Sequence, residues 1–313
     1  MKIHFVCSTI MSLIADYIDQ DPQEIKRLFG IDCESLEELI AQAESIHRQQ
    51  KAKIEKSKVR IIAPGGGNKP KLSIRDEILL TLTYMRQHLT FQWLGISFGV
   101  SESTANTTFH YWIDILGQFL PASMLQEVEF KEGDLEYINE ILTQHELIVD
   151  TSEQPRQRPR DKDEQEKFYS GYKHMHTFKN QFIILPGGKD IIDIVAGEPG
   201  PKHDLNIFRE NRDKFDSNQR FKADKSYVGE LNITTPHKKP KQGKLTEEQD
   251  EENKVISGQR VFVEHVIRLV KIFRISQQRF RLRCRHYKKV IQVVCGLVRL
   301  RIGALILPSL EVS

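Results

Sequence analysis

Glu146-Leu147-Ile148-Val149-Asp150 decides how the second half of this chain folds: a short apolar run that ends on an acid. Such a run predicts a short buried strand, and the texture around it is mixed α/β. Residues 177–185 and 189–196 predict a hairpin around Pro186-Gly187-Gly188, residues 204–215 a helix, and residues 220–224 another short strand. A Pro/Lys/Gly loop covers residues 235–244. Thr246-Glu247-Glu248-Gln249 then offers a capping box, opening a helix expected to reach about Phe273 with a break at Ser257-Gly258. A last helix covers residues 287–302.

Upstream of that region the pattern is helical. Within residues 1–62, Leu36, Leu39, Ile40, Ala43 and Ile46 recur at helical spacing among charges, and residues 3–14 read as a buried helix rather than a cleaved leader. Ala63-Pro64-Gly65-Gly66-Gly67-Asn68-Lys69-Pro70 cannot continue a helix and marks a linker at residues 63–72. Three helical segments follow: residues 73–87, started by Ser73 with Asp76 and Glu77; residues 90–98; and residues 101–119. Phe98-Gly99-Val100-Ser101 joins the last two, the pattern of a helix-turn-helix over residues 73–120. A connector, residues 121–144, leads to the α/β region at residues 145–308.

The whole composition is that of an ordinary globular chain: 313 residues, 46 Lys+Arg against 43 Asp+Glu, net charge +3. Collagen-like and disordered classes are excluded. The four cysteines, Cys7, Cys33, Cys284 and Cys295, form no CxxC pair, which points to a reducing, cytoplasmic setting, with Cys284 and Cys295 expected in the core. No stretch approaches the ~18 consecutive apolar residues of a membrane span. Residues 290–307 come nearest and are interrupted by Arg299 and Arg301.

Three acids occupy positions a metal site needs: Asp150 and Asp224 at strand ends, Glu264 on the long helix. Hard cations bind through carboxylate oxygens, and two of them ~3.5–4 Å apart serve phosphoryl transfer. Chance is the competing explanation, because 43 acids guarantee some at strand ends. His203-Asp204 is a rival to Asp224, with helix N-capping as the default role of Asp204. Around Glu264, Arg260, Arg268 and Lys271 fall at i, i+4, i+8 and i+11 and share one helical face, opposite Phe262, Val266, Leu269, Val270 and Phe273.

Residues 268–289 hold nine bases and no acid: Arg268, Lys271, Arg274, Arg279, Arg281, Arg283, Arg285, Lys288 and Lys289. In a chain so near neutrality, that asymmetry points to a polyanion, with an acidic protein partner or plain solvation as the alternatives. The helix-turn-helix, by contrast, balances Lys69, Lys71, Arg75 and Arg86 against Asp76, Glu77, Glu102 and Asp114. Its contribution to groove contacts rests on short polar residues at the start of its last helix: Ser101, Ser103, Thr104, Asn106 and Thr107. A helical packing or dimerisation domain accounts for it nearly as well.

With these residues in view, residues 73–308 resemble the insertion-sequence transposases of the DDE superfamily, in particular the insertion sequence five group and the Harbinger-type enzymes. The resemblance is carried by Leu147-Ile148-Val149-Asp150-Thr151-Ser152-Glu153 with Arg158-Pro159; Phe168-Tyr169-Ser170-Gly171-Tyr172-Lys173 with His176-Thr177-Phe178-Lys179; Gly200-Pro201-Lys202-His203-Asp204; Ala223-Asp224-Lys225-Ser226-Tyr227; and Arg260-Val261-Phe262-Val263-Glu264-His265 through Lys271-Ile272-Phe273-Arg274. It implies an α/β, ribonuclease H-like catalytic core preceded by an all-α helix-turn-helix region, with Asp150, Asp224 and Glu264 holding two Mg²⁺ ions, Mn²⁺ substituting. Related enzymes carry a Tyr-Arg-Glu-Lys signature; Arg260, Glu264 and Lys271 keep it, while Ser257 replaces the Tyr. Tyr172 likewise replaces the Lys that commonly follows the Ser-Gly pair, and Lys173 is expected to contact phosphate instead.

The implied activity is hydrolysis of phosphodiester bonds at transposon ends followed by strand transfer into target DNA. Arg260, Arg268 and Lys271 are expected to hold phosphates, Arg279, Arg281 and Arg283 to supply basic contacts, and Ser101, Ser103, Thr104 and Asn106 to meet the terminal inverted repeats. The expected partner is double-stranded DNA, bound by a homo-oligomer in the cytoplasm, at the nucleoid, without a membrane. A ribonuclease H-like nuclease without transposition and a non-catalytic DNA-binding regulator are the alternatives, and the retention of all three acids disfavours the second.

Overall fold

A computed structural model describes residues 13–57, 70–240 and 243–308. Most of the helix expected at residues 3–14, and residues 63–69 of the linker, lie outside the described residues. The chain divides into two compact units, Met1–Phe119 with Ile306–Ser313, and Leu120–Leu305.

The first unit is helical: α1 (Leu13–Gln20), α2 (Ile25–Phe29), α3 (Cys33–Ser57), α4 (Ile74–Gln87), α5 (Phe91–Ser97) and α6 (Glu102–Leu116). Its starts obey local chemistry. Ser73, Thr90 and Ser101 stand in extended conformation at the N-caps of α4, α5 and α6, each accepting the backbone N–H three residues on. Gly95 lets α5 meet the turn into α6, because a Cβ there would lie 2.7 Å from the Val100 carbonyl. Burial of Tyr84, Phe109 and Trp112 closes the core, with the Tyr84 ring stacked on Phe91 at 4.4 Å. The His47 ring stacks on Trp112, and its Nδ1 lies 2.8 Å from the Tyr111 hydroxyl.

The second unit opens with α7 (Met124–Phe130) and α8 (Leu135–Thr143), so residues 121–144 are two capped helices where the sequence suggested only a connector. Then come β1 (Leu147–Pro155), α9 (Lys162–Phe168), β2 (Tyr169–Ser170), β3 (Met175–Ile184), β4 (Ile191–Pro199), α10 (Asp204–Glu210), β5 (Phe221–Lys222), β6 (Ile233–Thr234), α11 (Glu247–Lys271) and α12 (Tyr287–Arg301). Strand β3 pairs antiparallel with β1 on one side and β4 on the other, while β5 and β6 continue from β1 in parallel. β1 is therefore central. Because strand side chains alternate, Leu147 and Val149 enter the core with Ile183, Ile192, Phe208, Phe221 and Tyr227. Glu146, Ile148 and Asp150 point the other way, toward α11, which packs across β1 and β3. Between them Ile148, Lys222, Gln259 and Phe262 line a cavity of about 230 Å³.

Several expectations need correction. β1 does not end at Asp150: pairing with β3 from Thr151↔Gln181 to Pro155↔Thr177 carries it five residues further, so Asp150 is mid-strand. α11 runs unbroken through Ser257-Gly258; a glycine on an exposed helix face costs only about 1 kcal/mol, and Ile256, Val263, Val266, Ile267 and Val270 hold the helix down. That stripe also shifts the phase, leaving Phe262 at the cavity edge, 38% exposed rather than buried. Helix α10 stops at Glu210 and passes into a short 3-10 turn at Arg212–Lys214. Cys284 is exposed; Cys295 is buried as expected.

Candidate active site

Asp150 is placed by β1 on the α11 side of the sheet. Its Oδ1 accepts the Thr151 backbone N–H at 2.8 Å, and its Oδ2 lies 3.7 Å from Nη2 of Arg260 on α11. Burial pushes the Asp150 carboxyl up to about 6; the nearby Asp224 and Asp204 charges add to this, against the Thr151 N–H and the Arg260 guanidinium.

Asp224 lies two residues beyond β5, adjacent to β1 in the sheet, and caps the 3-10 turn Lys225–Tyr227. Its Oδ1 accepts the Ser226 N–H at 2.8 Å and also the Ser226 hydroxyl. That hydroxyl is 3.1 Å from Oδ2 of Asp204, and Oδ1 of Asp204 takes Nζ of the buried Lys179 at 2.7 Å. Asp204 is therefore not the helix cap. His203 occupies that position, its ring nitrogen accepting the Leu205 N–H. Asp204 is a carboxylate compensated by Lys179 and linked through Ser226 to Asp224, and the charges of both act on Asp150. Gly200 permits the sharp loop before it: a Cβ there would collide with the Thr177 hydroxyl.

Glu264 sits one turn beyond Arg260 on α11 with its side chain exposed. Among the described residues no three His, Cys, Asp or Glu side chains converge closely enough to hold a metal ion. The donor chemistry of Asp150 and Asp224 nevertheless fits a hard divalent cation: all-oxygen ligands, one of them half-buried and destabilised as an anion chiefly by that loss of solvent. A buried Arg260 Nε without a hydrogen-bond partner shows that donors around this centre are left over.

Of the basic residues singled out in the sequence, Arg260 and Lys271 are half-buried at this centre and Arg268 is exposed. Burial and the nearby Lys173 charge pull the Lys271 amine down, while Asp150 opposes them. After α11, Phe280 is buried and its N–H bonds the Pro155 carbonyl at 2.8 Å, anchoring a segment in which Arg279, Arg281 and Arg283 are all exposed. In the first unit Ser101, Ser103 and Thr104 are exposed on the first turn of α6 and Asn106 is half-buried; the Ser101 hydroxyl is engaged with Ser103 and Thr104. Lys179 and Ser226 stand within the motifs quoted above, yet the sequence reading assigned neither a role at this centre. The available signal for Lys179 was a charge inside an expected hairpin strand, since an ammonium that becomes buried there needs a partner.

Residues 149–299 match the family described as DDE superfamily endonuclease, and residues 70–122 the helix-turn-helix of DDE superfamily endonuclease. These define a DNA-cutting enzyme with its own DNA-binding module. A probable transposase for insertion sequence element IS702 of Microchaete diplosiphon is 33% identical over 235 residues, 74% of this chain and 82% of that protein. The piggyBac transposase of a cryo-EM synaptic complex with hairpin DNA aligns with a TM-score of 0.42 and 13% identity, over 90% of this chain and 75% of that one. The chain belongs to the DDE superfamily, as an insertion-sequence DNA transposase. Enzymes of this superfamily generally use divalent metal ions. Among the described residues no helix is long and apolar enough to cross a membrane.

Proposed function

We propose that this transposase hydrolyses the phosphodiester at a transposon end and joins the freed 3′-hydroxyl to target DNA, with Asp150, Asp224 and Glu264 as its metal-holding acids and Mg²⁺, or Mn²⁺ in its place, as the ion. The observation that carries this reading is the half-buried Asp150 in β1 with Asp224 just beyond the adjacent β5, under a helix bearing Arg260 and Glu264. Divalent cations held there would supply Lewis-acid charge for the scissile phosphate and the attacking oxygen. The chain's own residues do the rest. Ser226 fixes the rotamer of Asp224, Lys179 keeps Asp204 compensated, and Arg260, Arg268, Lys271 and Lys173 hold phosphate oxygens by charge-assisted hydrogen bonds.

In the same reading residues 1–62 are a helical region, 63–72 a linker, 73–120 the module that meets the terminal inverted repeats, 121–144 a connecting pair of helices, and 145–308 the catalytic domain. Two ends must be joined, so the working form is a homo-oligomer on DNA, in the cytoplasm at the nucleoid.

The test is cleavage and joining of a labelled end duplex in the presence of Mg²⁺. Asp150→Asn, Asp224→Asn and Glu264→Gln should each abolish cleavage and leave gel-shift binding intact, since losing negative charge relieves repulsion of the phosphates. Wild-type cleavage rates in either aspartate variant would remove the assignment. Cleavage without joining by the unaltered protein would favour the nuclease alternative.

A further inference from the structure

Tyr172 is 83% exposed, at the tip of the β2–β3 turn. The turn itself is well anchored. Ser170 is buried and its hydroxyl accepts the Lys173 N–H at 3.3 Å, the Tyr169 ring packs edge-on against His176, and His174 holds a left-handed backbone at φ +52°. The exposed ring is thus presented by a fixed scaffold. Its position is also electrostatically marked. Nζ of Lys173 lies 4.8 Å from the ring centroid, a cation–π approach. Lys173 in turn lies close enough to Lys271 for their like charges to act on one another, and Lys271 is within the field of Asp150.

Two cations repelling each other beside the acidic centre are relieved by an anion lying between them. For an enzyme that works on DNA, that anion is the phosphate backbone of the strand entering the centre. A base attached to such a backbone has a π-face to cover, and the Tyr172 ring, held beside Lys173, is open to receive one. Cationic tracks with interleaved aromatic rings are how proteins hold single-stranded nucleic acid without reading its sequence.

We propose that Tyr172 is a stacking platform for an unpaired base of the DNA strand whose backbone passes Lys173 and Lys271. The proposal rests on the reading of this centre as one that acts on DNA. It predicts that the protein favours DNA with unpaired nucleotides, and that the preference resides in one exposed ring.

Fluorescence anisotropy with a labelled blunt duplex, and with the same duplex carrying an unpaired thymidine overhang, tests this. The unaltered protein should bind the overhang duplex about tenfold more tightly than the blunt one. Tyr172→Ala should bind both alike, at the unaltered protein's blunt-duplex affinity, and Tyr172→Phe should keep the preference because stacking needs the ring and not the hydroxyl. Retention of the preference by Tyr172→Ala, or its loss in Tyr172→Phe, would overturn the proposal. Blunt-duplex binding separates the two levels: if the unaltered protein binds neither duplex, the DNA reading itself fails and the stacking role with it. Because Tyr172 is exposed, the variants should melt with the unaltered protein.

Discussion

Nη2 of Arg260 stands 3.7 Å from Oδ2 of Asp150, outside hydrogen-bond distance, and Nε of the same guanidinium is buried without a partner. Arg260 is thus near enough to temper the Asp150 charge without being consumed by it, and it keeps donors for a phosphate. Arg260→Gln is expected to slow single-turnover cleavage by about 10²-fold, the typical loss when one donor to developing charge is removed. Arg260→Lys should recover only part of this, because an ammonium lacks the planar fork. Rates within a few fold of wild type for Arg260→Gln would show that the guanidinium serves only to compensate Asp150.

How much of this centre was legible in the sequence depended on how local its causes are. Ser73, Thr90, Ser101 and Thr246 announced their helices because capping is settled within four residues. The end of β1 was misread because Thr151-Ser152-Glu153-Gln154 is polar and stays extended only by pairing with β3. The bridge from Asp204 through Ser226 to Asp224 joins groups 22 residues apart in sequence, and no periodicity encodes it. The caps Ser123 and Asp134 before α7 and α8, in contrast, were present to be read.

Arg299 shows the same limit more sharply. In sequence it merely interrupts an apolar run, yet it is 1% exposed. It bonds both carboxylate oxygens of Asp190 at 2.7 and 2.9 Å, Glu127 at 2.7 Å, and the Pro121 and Ser123 carbonyls at 3.2 Å. Removing one partner of a buried ion network strands the others. Arg299→Met is expected to destabilise the second unit by roughly 3–5 kcal/mol, measured by urea unfolding. Adding Asp190→Asn to that variant should recover part of the loss, since one stranded charge disappears; a double variant less stable than the single one would contradict this account.

The helical unit carries a pH dependence through His47. Burial lowers its pKa below the ordinary 6.5, and the charges of Lys51 and Arg48 lower it further. Below pH 6.5 the unfolded chain therefore binds a proton that the folded one resists. Stability contributed by neutral His47 is present above that value and is lost as pH falls through it toward the lowered folded pKa. Both tryptophans, Trp93 and Trp112, lie in this unit, and His47 stacks on Trp112 at 5.1 Å, so intrinsic fluorescence reports on it directly. Fluorescence-detected urea midpoints should drop between about pH 7 and pH 5, and less steeply in His47→Gln. Parallel curves for the two proteins would assign the drop to other groups.

DNA affinity is expected to reside mainly in the basic segment after α11. Log affinity falls with log salt at a slope of about 0.9 per phosphate neutralised, so exposed bases with no acid among them dominate that slope. Arg279, Arg281 and Arg283 are all exposed in the segment anchored by Phe280. The helix-turn-helix, with four bases against four acids over residues 68–120, supplies little net charge. Replacing Arg279, Arg281 and Arg283 by Gln should therefore weaken binding to any sequence and flatten the salt dependence by up to about three units. Replacing Ser103, Thr104 and Asn106 by Ala should reduce the preference for transposon ends over random duplex with little change in slope, because short polar side chains read base edges without neutralising charge. Salt titrations of both triple variants on end and random duplexes separate the two roles. A helix-turn-helix variant that lost the slope while the arginine variant kept it would reverse the assignment.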